Sequence, residues 1–257
     1  MSWLDAFFLG ILQGITEFFP VSSSAHATLG RLLLGVEMNE GHLLFDLCCH
    51  VGTLIAALAF LKRDVTELFF TERKKLVALC VALVPLIPSY FLLKPVRDFL
   101  SAPHYLGLCL LGTSFILFLG SRVRLARESC SSMKRQMSDA LWIGALQSTA
   151  LIPGISRSAS TISCARILGW EGARAVRFSF LLSIPTIVGG NCLELLKMAH
   201  SSATAPPLFI CLTGLISSCA VGLWVVGRAI SYLEKGRLKP FAWYCLILGL
   251  TTTYFLR

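Results

Sequence analysis

A glutamate, a histidine and an arginine, side chains suited to moving protons and holding anions, stand inside otherwise apolar stretches. In Gln13-Gly14-Ile15-Thr16-Glu17 the two polar side chains are four apart, so on a helix they share a face and can enter one pocket. A carboxylate in hydrocarbon costs about 2.5 to 3.5 kcal/mol on insertion scales, so Glu17 needs a partner, a metal or water. Directly downstream runs Pro20-Val21-Ser22-Ser23-Ser24-Ala25-His26. Proline ends one half-helix and serines are good N-caps for the next. The hydroxyls of Ser22, Ser23 and Ser24, together with the free N–H groups of a helix start, form an anion site. His26 is available there as proton donor, base or nucleophile near neutral pH.

A second cluster, Pro153-Gly154-Ile155-Ser156-Arg157-Ser158-Ala159-Ser160-Thr161, sets an obligate cation among four hydroxyls. Arg157 follows a Pro-Gly break and precedes a helix start, the arrangement of a bidentate phosphate clamp built from a side chain and backbone donors. Carboxylate ligands fit it too, and Arg157 is a natural counter-ion for a buried Glu17. Asp46 and His50, four apart, make either a second polar pair facing the same pocket or a packing pair. Glu194 and the loop histidines His42, His104 and His200 are given no role.

The elements that position these residues are membrane helices. The chain has 257 residues, 55% of them hydrophobic and 14% charged, with a mean hydropathy of +0.73, outside the range of soluble domains. Stretches 43–61, 77–93, 105–120, 178–196, 208–227 and 241–256 approach the length that spans hydrocarbon. Two more, 3–19 and 140–152, run into the Pro/Ser clusters and read as broken or re-entrant helices, tolerable only inside protein or beside a watery cavity. The expected fold is an all-α polytopic membrane protein, a single integral membrane domain over 1–257, with about six transmembrane helices and two re-entrant helix pairs. The N-terminus lacks the basic region and cleavage site of a signal peptide and is expected to be mature structure. The ten cysteines form no Cys-x-x-Cys pair and read as small apolar residues. The net charge of +9 resides in short loops, which argues for orientation and against nucleic acid.

Lys and Arg concentrate in 62–75, 121–138, 166–177 and 228–239 and thin out in 94–104 and 197–206. The positive-inside tendency places the first four inside and residues 1–42 and the C-terminus outside. At an offset of 134, Gly10, Leu12, Gln13, Ser22, Ser24 and Ala25 match Gly144, Leu146, Gln147, Ser156, Ser158 and Ala159. Three spans separate the copies, so the second is inverted, giving inverted repeats of approximately 1–120 and 121–257. Such repeats commonly place a binding site where they meet.

These residues resemble the undecaprenyl-diphosphate phosphatases of the bacitracin-resistance family. The match includes Gln13-x-x-x-Glu17, Pro20 to His26, Phe45 through Asp46 and His50 to Gly52-Thr53, Pro153 to Ser158 with Thr161, and Phe178-Ser179-Phe180-Leu181-Leu182 before Pro185. The resemblance implies hydrolysis of undecaprenyl diphosphate to undecaprenyl phosphate and phosphate, regenerating the lipid carrier of peptidoglycan and other envelope polymers. It also implies a bacterial inner membrane, a periplasm-facing site, and contact with bacitracin only through the shared substrate. By position, Glu17, Ser23, His26 and Arg157 match the central functional residues, and Gln13, Ser156 and Thr161 match supporting ones. Gln13 stands where the family has Glu or Gln, which leaves one carboxylate where two could hold a metal. Ala25 and Ala159 replace frequent glycines.

The expected chemistry is phosphoryl transfer, which depends on positioning and electrostatics. Arg157, Ser156, Ser158 and Thr161, with Ser22, Ser24 and Gln13, hold the diphosphate. The attacking group is His26, the favoured choice, or Ser23 with His26 as base. Glu17 orients or deprotonates the attacking group or a water, with or without a divalent cation such as Mg or Ca, and no organic cofactor is expected. The prenyl tail is expected along apolar walls opening to lipid. A homodimer is compatible with the sequence. The rival reading is a secondary transporter or flippase of an anionic lipid or solute, because inverted repeats and broken helices also mark transporters.

Overall fold

The structure, a computed structural model, describes residues 1–36, 42–122, 132–198 and 206–256. His200, Cys130 and parts of the loops 121–138 and 197–206 lie outside the described residues. No strand occurs among the described residues.

Helix α1 (Trp3–Thr16) opens on a capping box in which Ser2 Oγ accepts from the Asp5 amide at 3.2 Å and Asp5 Oδ2 accepts from the Ser2 amide at 2.6 Å. After the break at Pro20, α2 (Ser23–Leu34) is capped by Ser22 and stopped by Gly35 at φ +65°. Then follow α3 (His42–Phe60), the short charged α4 (Lys62–Phe70), α5 (Arg73–Leu83), α6 (Leu86–Leu92), α7 (Lys94–Leu100) and α8 (Leu106–Arg122). The second half holds α9 (Met133–Gln147), α10 (Arg157–Ile167), α11 (Gly172–Met198), α12 (Leu208–Leu233) and α13 (Lys239–Phe255).

Both broken segments are found where the Pro/Ser clusters lie: residues 17–22 separate α1 from α2, and a 3-10 turn at Ser148–Leu151 followed by 152–156 separates α9 from α10. Among the described residues five helical stretches are long and apolar enough to cross a bilayer: His42–Phe60, Arg73–Leu92, Pro103–Arg122, Gly172–Met198 and Leu208–Leu233. The sixth expected span lies in α13, whose 17 residues rise about 26 Å, just short of a hydrocarbon core about 30 Å thick. The second expected span is interrupted near Pro85, which divides α5 from α6. Large apolar side chains such as Phe8, Phe91, Phe115, Trp142 and Trp243 stand exposed on the outside, a surface suited to lipid.

One face of each broken helix packs closely on the bundle because small residues let neighbouring backbones come close. Helix α1 packs on α12, α12 on α3, α9 on α5, α10 on α8 and α8 on α13. A Cβ on Gly10 would lie 2.8 Å from the Gly214 carbonyl of α12. One on Gly144 would run into the Ala82 backbone of α5. Gly144→Ala is therefore expected to destabilise the protein by about 1 to 3 kcal/mol through overpacking, read as a lowered unfolding temperature in detergent. An unchanged temperature would refute the contact of α9 with α5.

Candidate active site

The first break aims its residues through a strained turn. Ser22 has φ +70° and, among the described residues, is the only non-glycine at positive φ, a conformation that costs about 1 to 3 kcal/mol and persists only when neighbours enforce it. Its side chain caps α2 by accepting from the Ala25 amide at 3.4 Å. Its carbonyl accepts from His26 Nδ1 at 2.7 Å, and His26 Nε2 pairs with the Tyr244 hydroxyl of α13 at 2.7 Å. Ser23 becomes the first residue of α2.

The second break is built alike. Gly154 adopts φ +96°, and a Cβ there would collide with Cys109, so the turn is made for glycine. Ser156 caps α10 by accepting from the Ala159 amide at 3.2 Å, while Thr113 of α8 accepts from the Ser156 amide at 3.0 Å and donates to the Gly154 carbonyl at 2.9 Å. Arg157 is the first residue of α10. At the offset of 134, Ser23 and Arg157 fall on the same position. One copy puts a hydroxyl at the helix start and the other a guanidinium.

The two breaks interlock. The Gly154 amide donates to Ser24 Oγ at 3.3 Å, and Ser158 Oγ donates to the Phe19 carbonyl at 3.3 Å. At their meeting Glu17 Oε1 accepts from Arg157 Nη2 at 2.7 Å, while Glu17 Oε2 accepts from Ser23 Oγ at 2.8 Å and from Gln13 Nε2 at 2.9 Å. The Glu17 side chain is 5% exposed and that of Arg157 18%. Two charges this poorly hydrated are tolerable because they are paired and hydrogen-bonded to each other.

Around this meeting point lies a cavity of about 530 Å³, lined by Glu17, Ser22, Ser23, Ser24, Ser156, Arg157 and Ser158 among others. Asp46 and His50 also line it, so the second polar pair faces the same pocket. Asp46 forms an ion pair with Arg31, and His50 Nε2 stands 3.9 Å from Glu17 Oε2. Leu43 and Leu47 of α3 and Ile187 and Leu193 of α11 supply apolar walls.

Three expected residues fall elsewhere. His26, the favoured attacker, does not line the cavity; it is 6% exposed and its ring stacks on Tyr244 with centroids 5.7 Å apart. Both its nitrogens are engaged, because proline and the Ser22 turn rotate α2 so that Ser23 faces the cavity and His26 faces α13. Thr161 is buried behind the cavity against Ser179 Oγ at 2.6 Å. Gln13 acts only through Glu17. Ala25 and Ala159 are fully buried in the core and touch no cavity wall.

Sequence reading missed Arg31, a buried cation in the last turn of α2, and the Tyr90, Arg97 and Lys197 group at the cavity. It also gave Glu194 no role, yet Glu194 lines the cavity and accepts from Lys197 Nζ at 2.7 Å. The sparse basic loop at 94–104 was the available signal for Arg97. Among the described residues no three His, Cys, Asp or Glu side chains gather as a metal cage. The donor set fits Mg²⁺ only in the mode where one carboxylate shares the ion with substrate phosphates, and Glu17, with Gln13 beside it, is placed to be that carboxylate.

The chain matches the family model of the bacitracin resistance protein BacA over residues 6–251. It is 40% identical over 258 residues to a protein of Protochlamydia amoebophila named undecaprenyl-diphosphatase, with 99% of each chain covered. A protein of the same name from Desulfatibacillum aliphaticivorans is 37% identical with 98% of each covered, and one from Halothermothrix orenii is 34% identical, covering 97% of this chain and 96% of its own.

Proposed function

The chain belongs to the bacitracin resistance protein family, and from that membership and the site geometry we infer that it is a membrane phosphatase hydrolysing undecaprenyl diphosphate to undecaprenyl phosphate and phosphate. It thereby recycles the lipid carrier for peptidoglycan and envelope polymers and confers bacitracin resistance by drawing down the diphosphate that bacitracin binds. The observation that carries the reading is the convergence of Ser23, Glu17 and Arg157 at the meeting of two broken helices.

Ser23 is the nucleophile. Its O–H already donates to Glu17, which takes the proton as Oγ attacks the terminal phosphorus. The bond to the bridging oxygen breaks and its electron pair leaves on the lipid monophosphate. Arg157, with the Ser156 and Ser158 hydroxyls nearby, stabilises charge on the transferred group. Water then attacks the phosphoserine, the P–Oγ bond breaks, Glu17 returns its proton to Ser23 and takes one from the water, and that proton departs to solvent. A divalent cation travelling with the diphosphate would be held by Glu17 and would supply charge neutralisation. The apolar walls from α3 and α11 take the first prenyl units, with the remainder in lipid.

Loop charge puts residues 1–42, and with them Glu17 and Ser23, on the outer side of the membrane, and the family resemblance supplies the reading of that side as the periplasm of a bacterial inner membrane. The repeat is supported by packing: at the offset of 134, Gly10 corresponds to Gly144, and Ala82, against which Gly144 packs, corresponds to a position between Gly214 and Ser217, against which Gly10 packs; the odd number of spans between the copies is what makes the repeat inverted. The decisive experiment is phosphate release from a polyprenyl diphosphate by the purified protein in detergent. Absence of release there, with uptake or flipping in vesicles instead, would favour the transporter reading.

His26 positions Ser23 by fixing the Ser22 carbonyl. An asparagine amide can still donate to that carbonyl, so His26→Asn is expected to retain activity within about tenfold. An acid-stable phosphoserine should be trapped in both proteins. An acid-labile phosphohistidine, lost in the variant with all activity, would reverse the assignment.

A further inference from the structure

Among the described residues, three carboxylates and three cations line the cavity: Glu17, Asp46 and Glu194 against Arg97, Arg157 and Lys197. Arg157 is matched by Glu17 and Lys197 by Glu194, each at 2.7 Å, and Asp46 is matched from behind by Arg31. Arg97 is the exception. Among the described residues its ion partner is Asp98, reached only through Nε at 3.7 Å and itself 58% exposed, a pairing of little strength. Among the described residues the Nη1 and Nη2 donors of Arg97 have no hydrogen-bond partner, although its side chain is only 18% exposed.

The guanidinium of Arg97 is held over the Tyr90 ring at 4.6 Å, and Lys197 Nζ approaches the same ring at 5.8 Å. Stacking engages the face of the guanidinium and leaves its edge, where the N–H fork lies, for an anion. Two cations around one aromatic ring also repel each other, a cost that an anion between them would remove.

We propose that Arg97, supported by Tyr90 and Lys197, is a second anion subsite that binds the lipid-linked phosphate, the leaving group of the reaction. This rests on the phosphatase reading. A diphosphate ester brings more negative charge than one already neutralised arginine can balance. When Ser23 forms its bond to the terminal phosphorus and the bond to the bridging oxygen breaks, the electron pair collects on the lipid monophosphate, away from Arg157. Among the described residues Arg97 is the uncommitted cation in that cavity, and it stabilises the charge as it develops.

The test uses the full chain in detergent, farnesyl diphosphate as substrate, and farnesyl monophosphate and inorganic phosphate as inhibitors. Arg97→Gln should raise the inhibition constant for farnesyl monophosphate about tenfold or more, the loss of a charge-assisted hydrogen bond, and lower kcat. Inhibition by inorganic phosphate, which reads the Arg157 end, should change less than twofold. Arg97→Lys keeps the charge without the fork and should fall between; it reads the same ratio where Arg97→Gln folds poorly. An unchanged monophosphate constant in a variant of normal unfolding temperature would overturn the proposal, and so would an equal rise for both inhibitors, the signature of a diffuse field. A wild-type protein that releases no phosphate would sink the phosphatase reading instead, while direct equilibrium binding of farnesyl monophosphate to the two proteins would still decide the subsite.

Discussion

Ser23→Ala is expected to lower phosphate release by about a thousandfold or more, with little change in the affinity for substrate. Removal of a nucleophile that acts as a unit with its base costs most of the chemical step and leaves only what binding and electrostatics contribute. Ser23 is suited to this because its hydroxyl lies at 2.8 Å from a carboxylate that Arg157 keeps in place. The variant should fold, since the Ser23 side chain lines the cavity and caps no helix; the cap of α2 is Ser22. Single-turnover phosphate release beside equilibrium binding of farnesyl monophosphate separates the two effects. Retention of more than a tenth of wild-type turnover would exclude Ser23 as the attacking group. Glu17→Gln offers an independent check, because it keeps the shape and removes the base.

Arg157→Lys should also be nearly inactive, by about a hundredfold or more, even though the charge is conserved. A lysine offers a point charge where a planar fork is needed to hold Glu17 and the phosphoryl oxygens together, and loss of one oriented donor to developing charge costs about a hundred- to a thousandfold. Arg157→Ala goes further. It leaves Glu17 buried without its counter-ion, for which the expected penalty is about 3 to 5 kcal/mol of stability. Comparison of the unfolding temperatures of the two variants therefore distinguishes a catalytic loss from a folding loss. Rescue of Arg157→Ala stability by the second change Glu17→Gln, without rescue of activity, would show that the pair does both jobs. Full activity in Arg157→Lys would mean that charge alone suffices and that the fork has no part in the transition state.

The histidines show where local reading reached its limit. His26 and Ser23 lie three apart in one motif, and chemistry alone favoured the imidazole as the attacker. In the folded chain the positive φ of Ser22 and the docking of α13 assign His26 to the Ser22 carbonyl and Tyr244. His50, by contrast, lies on an ordinary apolar helix and faces Glu17. Thr161 sits one turn along the same helix as Arg157, yet it serves packing against Ser179. Arg31 and Arg97 carried no motif: Arg31 emerged from its ion pair with Asp46 on another helix, and Arg97 from its place in the cavity over the Tyr90 ring.

What the amino-acid sequence determined by itself was the membrane class, the two broken helices and the residue types at the breaks. These follow from hydropathy, proline and serine capping, which act within a few residues of chain. It also made Glu17 and Arg157 natural partners, because hydrocarbon leaves few ways to hold either charge. The tertiary structure decided which side chains share the cavity. That depends on how each helix is rotated and how closely it approaches its neighbours, set by contacts such as Gly10 on α12 and Gly144 on α5 between residues far apart in the chain. The separation of 140 positions between Glu17 and Arg157 is closed by that packing, and with it the site.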